Sequence, residues 1–340
     1  EKLPQRTHDP HEADAFVVAG YLHLYNSLYP QHAKDLVPLY KNAILDPSKP
    51  HLLLVPSWNP TVARKVGIFA LVNMLKAEVQ EKNLYSVGFE RNPKWQAVEP
   101  SRIIPIPYVV WQDEDVAVSD MRLENFVFYA GDGRSHAEEW GGCFRTNLIS
   151  ALQQKNHNLT DHSRQSNSNM DLRIVSRNNR LSQDLYNDRM KTSDYCLILC
   201  GDTPTSRSLT SAMISGCIPI RIGSRLRGLC EPPCHKGWGW VITGSQYPHL
   251  PYGDRIPWLE FPEVSEEAIL NEGWQVLQNL FQQYNEEKKK NLRSIMDKMR
   301  SGWIYGWGNP VTSEKLGDAA AYIWESFESA LTRAENATLV

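Results

Sequence analysis

The chain has 340 residues, 41% of them hydrophobic, with 36 Lys and Arg against 39 Asp and Glu. That length suits two domains and supplies apolar material for two cores. The near balance of charge excludes a nucleic-acid binder of the basic-patch kind, and no apolar run reaches the roughly 18–20 residues of a membrane span.

Short apolar runs recur along the chain. They fall at 15–18 (AFVV), 51–55 (HLLLV), 103–110 (with two prolines, so part loop), 126–130 (FVFYA), 195–200 (YCLILC), 217–222 (CIPIRI) and 238–242 (WGWVI). Each is apolar on both faces and bounded by Gly, Pro or polar residues, which is the pattern of buried parallel strands. Helical patterns lie between and after them at 62–78, 143–154, 183–192, 206–215, 266–300 and 313–331. Strand–helix alternation predicts an α/β fold with sheets covered on both faces. The break at 111–115 (WQDED) and the fresh strand at Phe126 divide a first domain, 1–120, from a second, 121–312. The last segment, 313–340, is expected to return to the first domain. The polar stretch 155–170 reads as a surface loop, and the run Lys288-Lys289-Lys290 behind Glu286-Glu287 reads as a solvated helix face.

The six cysteines are spread along the chain. Cys196 and Cys200 share one strand face but stand too far apart to bridge. Cys230 and Cys234 flank Glu231-Pro232-Pro233, where a local disulfide and free thiols are both open. A zinc site lacks a second Cys/His pair of matching spacing. Cys143 and Cys217 read as small buried residues. Two sequons, at Asn158 and Asn336, point to the secretory pathway.

Residues 196–222, CLILCGDTPTSRSLTSAMISGCIPIRI, hold the main functional candidate. Gly201 permits a sharp turn after the strand, Pro204 stiffens the loop, and Thr205 or Ser206 can cap the helix that follows. The free N–H groups and positive end of such a helix suit a phosphate, and Arg207 can add a bidentate contact. The alternative is a well-capped helix whose arginine meets only solvent. Neither the G-x-x-x-x-G-K-[ST] loop nor the G-x-G-x-x-G fingerprint is present. The segment 131–142, GDGRSHAEEWGG, has a phosphate loop's glycines without that spacing, and Arg145 follows on the next helix.

The segment 196–220 resembles the signature of the exostosin family of glycosyltransferases, including its plant and algal relatives. The resemblance runs in order from residue 9 to about residue 330. It includes 9–16 (DPHEADAF), 104–108 (IPIPY), Arg145 with Leu148, Tyr186 with Met190, 250–252 (LPY), and Ile256-Pro257-Trp258 with Phe261. The family implies a GT-B fold, two Rossmann-like domains facing across a cleft, with the donor on the second domain and the acceptor on the first. It also implies transfer from a UDP-sugar to a glycan or glycoprotein, with inversion and with no metal or other cofactor.

Carried onto this chain, Arg207, Thr205 and Ser206 would hold the diphosphate with help from Arg145, and Ser211 would lie near the ribose. The family has an acid where this chain has Ser211, and Glu263 is a candidate to replace it. Candidates for the base are Asp132, His136 and His23, with Asp113 and Asp115 behind them. Family members sit in the Golgi as type II membrane proteins, and some act in complexes with other glycosyltransferases. The opening at Glu1, only eight residues before the D-P-x-E-A-D match, reads as a trimmed N-terminus lacking the family's first strand and any anchor. The rival reading is a non-catalytic GT-B relative serving as a glycan-binding or structural subunit.

Overall fold

The computed structural model describes residues 7, 9, 11–19, 46–54, 79, 83–88, 102–107, 122–132, 142–154, 170–175, 181–199, 207–223, 252, 255–304 and 319–338. They form an α/β protein with two wholly parallel sheets. The first contains β1 (Phe16–Ala19), β2 (His51–Leu54), β3 (Leu84–Gly88) and β4 (Ile103–Pro105), in the order β1-β2-β3-β4. The second contains β5 (Leu123–Asp132), β6 (Met170–Val175), β7 (Ser193–Ile198), β8 (Ile218–Gly223) and β9 (Glu263–Ser265), in the order β6-β5-β7-β8-β9. Buried strands need apolar residues on both faces, and β7 is buried at every position.

The described helices are α1 (Gly142–Gln154), α2 (Gln183–Thr192), α3 (Arg207–Ser215), α4 (Glu266–Glu272), α5 (Trp274–Gln283), α6 (Glu286–Met299) and α7 (Ala319–Thr338). The expected single helix over 266–300 is three helices. Gly273, at φ 62°, ends α4 in a backbone conformation open to glycine, and Asn285 caps α6 by accepting from the Lys288 N–H at 3.0 Å. β3 and β6 were not expected as strands. The expected strand at 238–242 and helix at 62–78 lie outside the described residues.

The chain's last helix serves the first sheet. Ile323, Phe327 and Ala330 of α7 are buried against Leu52, Tyr85, Val87 and Ile104. Its Tyr322 faces the other way, joining the core of the second sheet, where its hydroxyl accepts from the Tyr252 N–H at 3.2 Å. Arg255 adds an ion pair to Glu325 at 2.8 Å.

Two further expectations need correction. Lys289 is not on a solvated face: it is 2% exposed, and its ammonium meets Asp194 at 2.8 Å. The flanking Lys288 and Lys290 are exposed, because successive helix positions turn about 100° apart. Cys217 is not merely a small core residue. It forms a disulfide with Cys196, their Cα atoms 5.7 Å apart. β7 and β8 are hydrogen-bonded neighbours, and that adjacency brings residues 21 apart in sequence within bridging distance.

Candidate functional site

In an open parallel sheet, ligands bind beyond the carboxyl ends of the strands, where the order of strands reverses. The second sheet has such a point. From β5 the chain passes through α1 to β6 on one side, then returns through α2 to β7 on the other side of β5. The crevice therefore opens between the ends of β5 and β7. Among the described strands, the first sheet grows in one direction and has no such reversal.

The segment singled out in the sequence leaves β7 at this crevice. α3 begins at Arg207, which is exposed, whereas Leu209 through Ser215 are all buried. The helix ends at Gly216, φ 71°, and the Cys217 N–H reaches back to the Ala212 carbonyl at 3.1 Å. That six-to-one closure is the glycine-dependent helix stop. The Cys196–Cys217 bridge then ties the end of α3 to β7. The unit from β7 to α3 is thus closed at its base, with Arg207 at the other end of the helix.

Ser211 is 4% exposed and hydrogen-bonds to the Tyr186 phenol of α2, as does Ser208. Burial raises that phenol above its ordinary value, while the two serines and the Arg207 charge pull it back in part. Tyr186 also stands edge-on to Phe128 of β5, ring centres 5.6 Å apart, so it links α3 to β5. Arg207, Ser208, Ser211 and Tyr186 are brought together. Arg145 lies half-buried in the first turn of α1, on the other arm of the crevice, and Asp132 is the last residue of β5.

Glu263 opens β9 and is exposed, with Oε2 3.2 Å from Arg221. Arg221 is buried, and it also donates to the Trp258 carbonyl at 2.8 Å and lies over the indole ring. Glu263 is therefore engaged in holding the β8–β9 edge. Three residues on, Glu266 is different. It follows the carboxyl end of β9, is 2% exposed, and its Oε2 has no hydrogen-bond partner. Burial alone pushes this carboxyl up to about 8. Strands lie about 4.8 Å apart, so β9 stands roughly 10 Å from β7, within reach of one extended ligand. The sequence hid Glu266, since Glu266-Glu267 reads as an ordinary acidic first turn.

Thr205, Ser206, His136, His23, Asp113, Asp115 and Asn158 lie outside the described residues. Asn336 falls in the last turn of α7.

A family model described as the exostosin GT47 domain matches residues 2–280. No curated protein matches the chain significantly. Among solved structures, the chain is similar to the crystal structure of Arabidopsis thaliana UGT89C1 complexed with quercetin. That likeness has 10% identity and a TM-score of 0.37, covering 96% of this chain and 84% of that one. The same enzyme complexed with UDP-L-rhamnose gives 11% identity, coverage of 91% and 79%, and a TM-score of 0.37. The glycotransferase of kitacinnamycin gives 8% identity, coverage of 96% and 76%, and a TM-score of 0.35.

Proposed function

The chain belongs to the exostosin GT47 family of glycosyltransferases, and we propose that it moves a sugar from a UDP-sugar to a glycan or glycoprotein acceptor, inverting the anomeric centre without a metal. The observation that carries this reading is the coincidence of the family's signature with the one strand-order reversal among the described strands. In this reading the two parallel sheets are the halves of a GT-B fold. Arg207 and the N–H groups at the head of α3 hold the leaving diphosphate, with Arg145 opposite. The acceptor hydroxyl attacks the anomeric carbon, the bond to the diphosphate oxygen breaks, and positive charge around that oxygen stabilises the departing group. The hydroxyl proton passes to a base, for which Asp132 at the end of β5 is the described candidate beside His136 and His23. Glu266, buried without a partner, takes the donor-contacting role considered for Glu263.

The disulfide supports an oxidising compartment, in keeping with the two sequons and with Golgi residence behind a membrane anchor upstream. No described helix is long and apolar enough to cross a membrane.

Titration calorimetry of the chain with UDP in EDTA tests the reading. Binding should weaken about 10- to 100-fold in Arg207→Ala, the worth of a charge-assisted hydrogen bond, with the melting temperature unchanged. Equal affinity in the variant removes Arg207 from the site. The second reading, a non-catalytic subunit, draws on one observation: Ser211 stands where the family has its acid, and its hydroxyl is engaged by Tyr186. Absence of UDP binding by the folded chain, together with glycan binding, would put that reading first.

A further inference from the structure

At the opposite, amino-terminal edge of the second sheet lies a cavity of about 620 Å³, walled by the start of β5, by Gly216 ahead of β8, and by one face of α6. Its size is that of a small-molecule site. No part of the proposed donor site lines it.

The lining is ionic, and its acids are largely engaged. Asp194, the second residue of β7, is 3% exposed. It accepts from Lys289 Nζ at 2.8 Å, from Arg293 at 2.5 Å and from the Asn125 N–H at 2.8 Å. Burial pushes its carboxyl up, but those bonds and cations outweigh burial and hold it below the usual range. Glu286 pairs with Lys289, and Asp297 pairs with Arg300 at 3.0 Å.

Arg122 has no such partner. Its terminal nitrogens donate to the carbonyls of Ser193 and Ser215 at 2.6 and 2.7 Å, and among the described residues no carboxylate lies within ion-pair distance. Its Nε is buried without a hydrogen bond, and so is that of Arg293. Burial brings the Arg122 guanidinium down to about 10; the charges of Arg293 and Arg300 push the same way, and the Asp194 carboxylate opposes them in part. Arg122 and Arg293 thus each bring an Nε–H with no acceptor to the same lining. The exposed Lys290 and Glu124 add one further charge of each sign to the lining. Buried N–H groups without an acceptor are costly unless an anion meets them.

We propose that this cavity is an oxyanion site, taking the phosphate, sulfate or carboxylate group of a small ion or of an acidic sugar between Arg122 and Arg293. Planar guanidinium groups recognise such groups through paired N–H donors. The site is separate from the donor crevice, so its occupant binds whether or not UDP is present.

The test is calorimetric titration of the whole chain with sodium sulfate, inorganic phosphate and a uronate-bearing oligosaccharide, against sodium chloride at equal ionic strength. Saturable heat is expected with the oxyanions and none with chloride. Arg122→Gln should weaken binding at least about 10-fold. Because Arg122 also braces the start of β7 and the end of α3, Ser294→Trp is the second variant. It fills the cavity from an exposed position on α6 and leaves every ion pair in place. It should abolish the oxyanion heat and leave UDP titration unchanged. Tighter binding of the oligosaccharide than of sulfate, by 10-fold or more, assigns the site to an acidic sugar; equal binding assigns it to the free ion. Indistinguishable titrations with sulfate and chloride, or an oxyanion response that survives Ser294→Trp, would overturn the proposal.

Discussion

The two sheets are built from similar material and differ in two respects. The first adds each described strand beside the last, while the second reverses at β5. Only a reversal sends successive helices to opposite sides and leaves a crevice, so the second sheet has the better claim to the ligand. They are also held differently. The first completes its core with α7, from the far end of the chain. The second is pinned internally, by Cys196–Cys217 within the β7–α3–β8 unit and by Asp194 with its cations below it. A sheet that binds a flexible ligand at one edge gains from being fixed elsewhere.

The largest test of this contrast is Phe327→Ala. The side chain is 2% exposed and stands edge-on to Tyr85, ring centres 5.2 Å apart. Its loss should cost about 3–5 kcal/mol in chemical denaturation. If the sheets are held independently, hydrogen exchange will rise in β2 and β3 and stay slow in β7. A uniform rise across both sheets would break the distinction.

Replacing Cys196 and Cys217 together by Ala is the converse. A loop of this length is worth about 3 kcal/mol, and the loss should fall on the second sheet. UDP affinity should fall as well, because the base of the β7–α3 unit is then open.

The smallest effect concerns pH. The Glu266 carboxyl titrates higher in the folded chain, at about 8, than its ordinary 4.5. The folded state thus holds a proton that the unfolded state has released, and stability contributed by this group falls as pH rises from about 4.5 to 8. Glu266→Gln should flatten that fall by about 2 kcal/mol once solvent screening is allowed for. Parallel stability profiles for the two proteins would show that water reaches the carboxyl.

Much of the second sheet could be read from sequence. β5, β7 and β8 are apolar on both faces, and α2 and α3 lie within a residue of the expected positions. β6 escaped notice because it is an edge strand that carries Asp171 and Arg173. The two pair with each other at 2.8 Å, so their charges are satisfied without leaving the strand. β3 escaped because Ser86 interrupts its apolar run, although it too is buried. The breaks at Gly273 and Asn285 leave the helical period almost intact, so one helix was expected where three exist. At the site, Arg207 was visible as a basic residue at a helix start. Glu266 and Lys289 were not, since a charged residue within a run of charges reads as solvated, and only tertiary packing buries it.

The bridge from Cys196 to Cys217 makes a covalent ring of the signature segment. A single protease cut anywhere inside that ring would leave two fragments still joined. They would migrate as one chain on a gel run without reductant and part only when the disulfide is reduced.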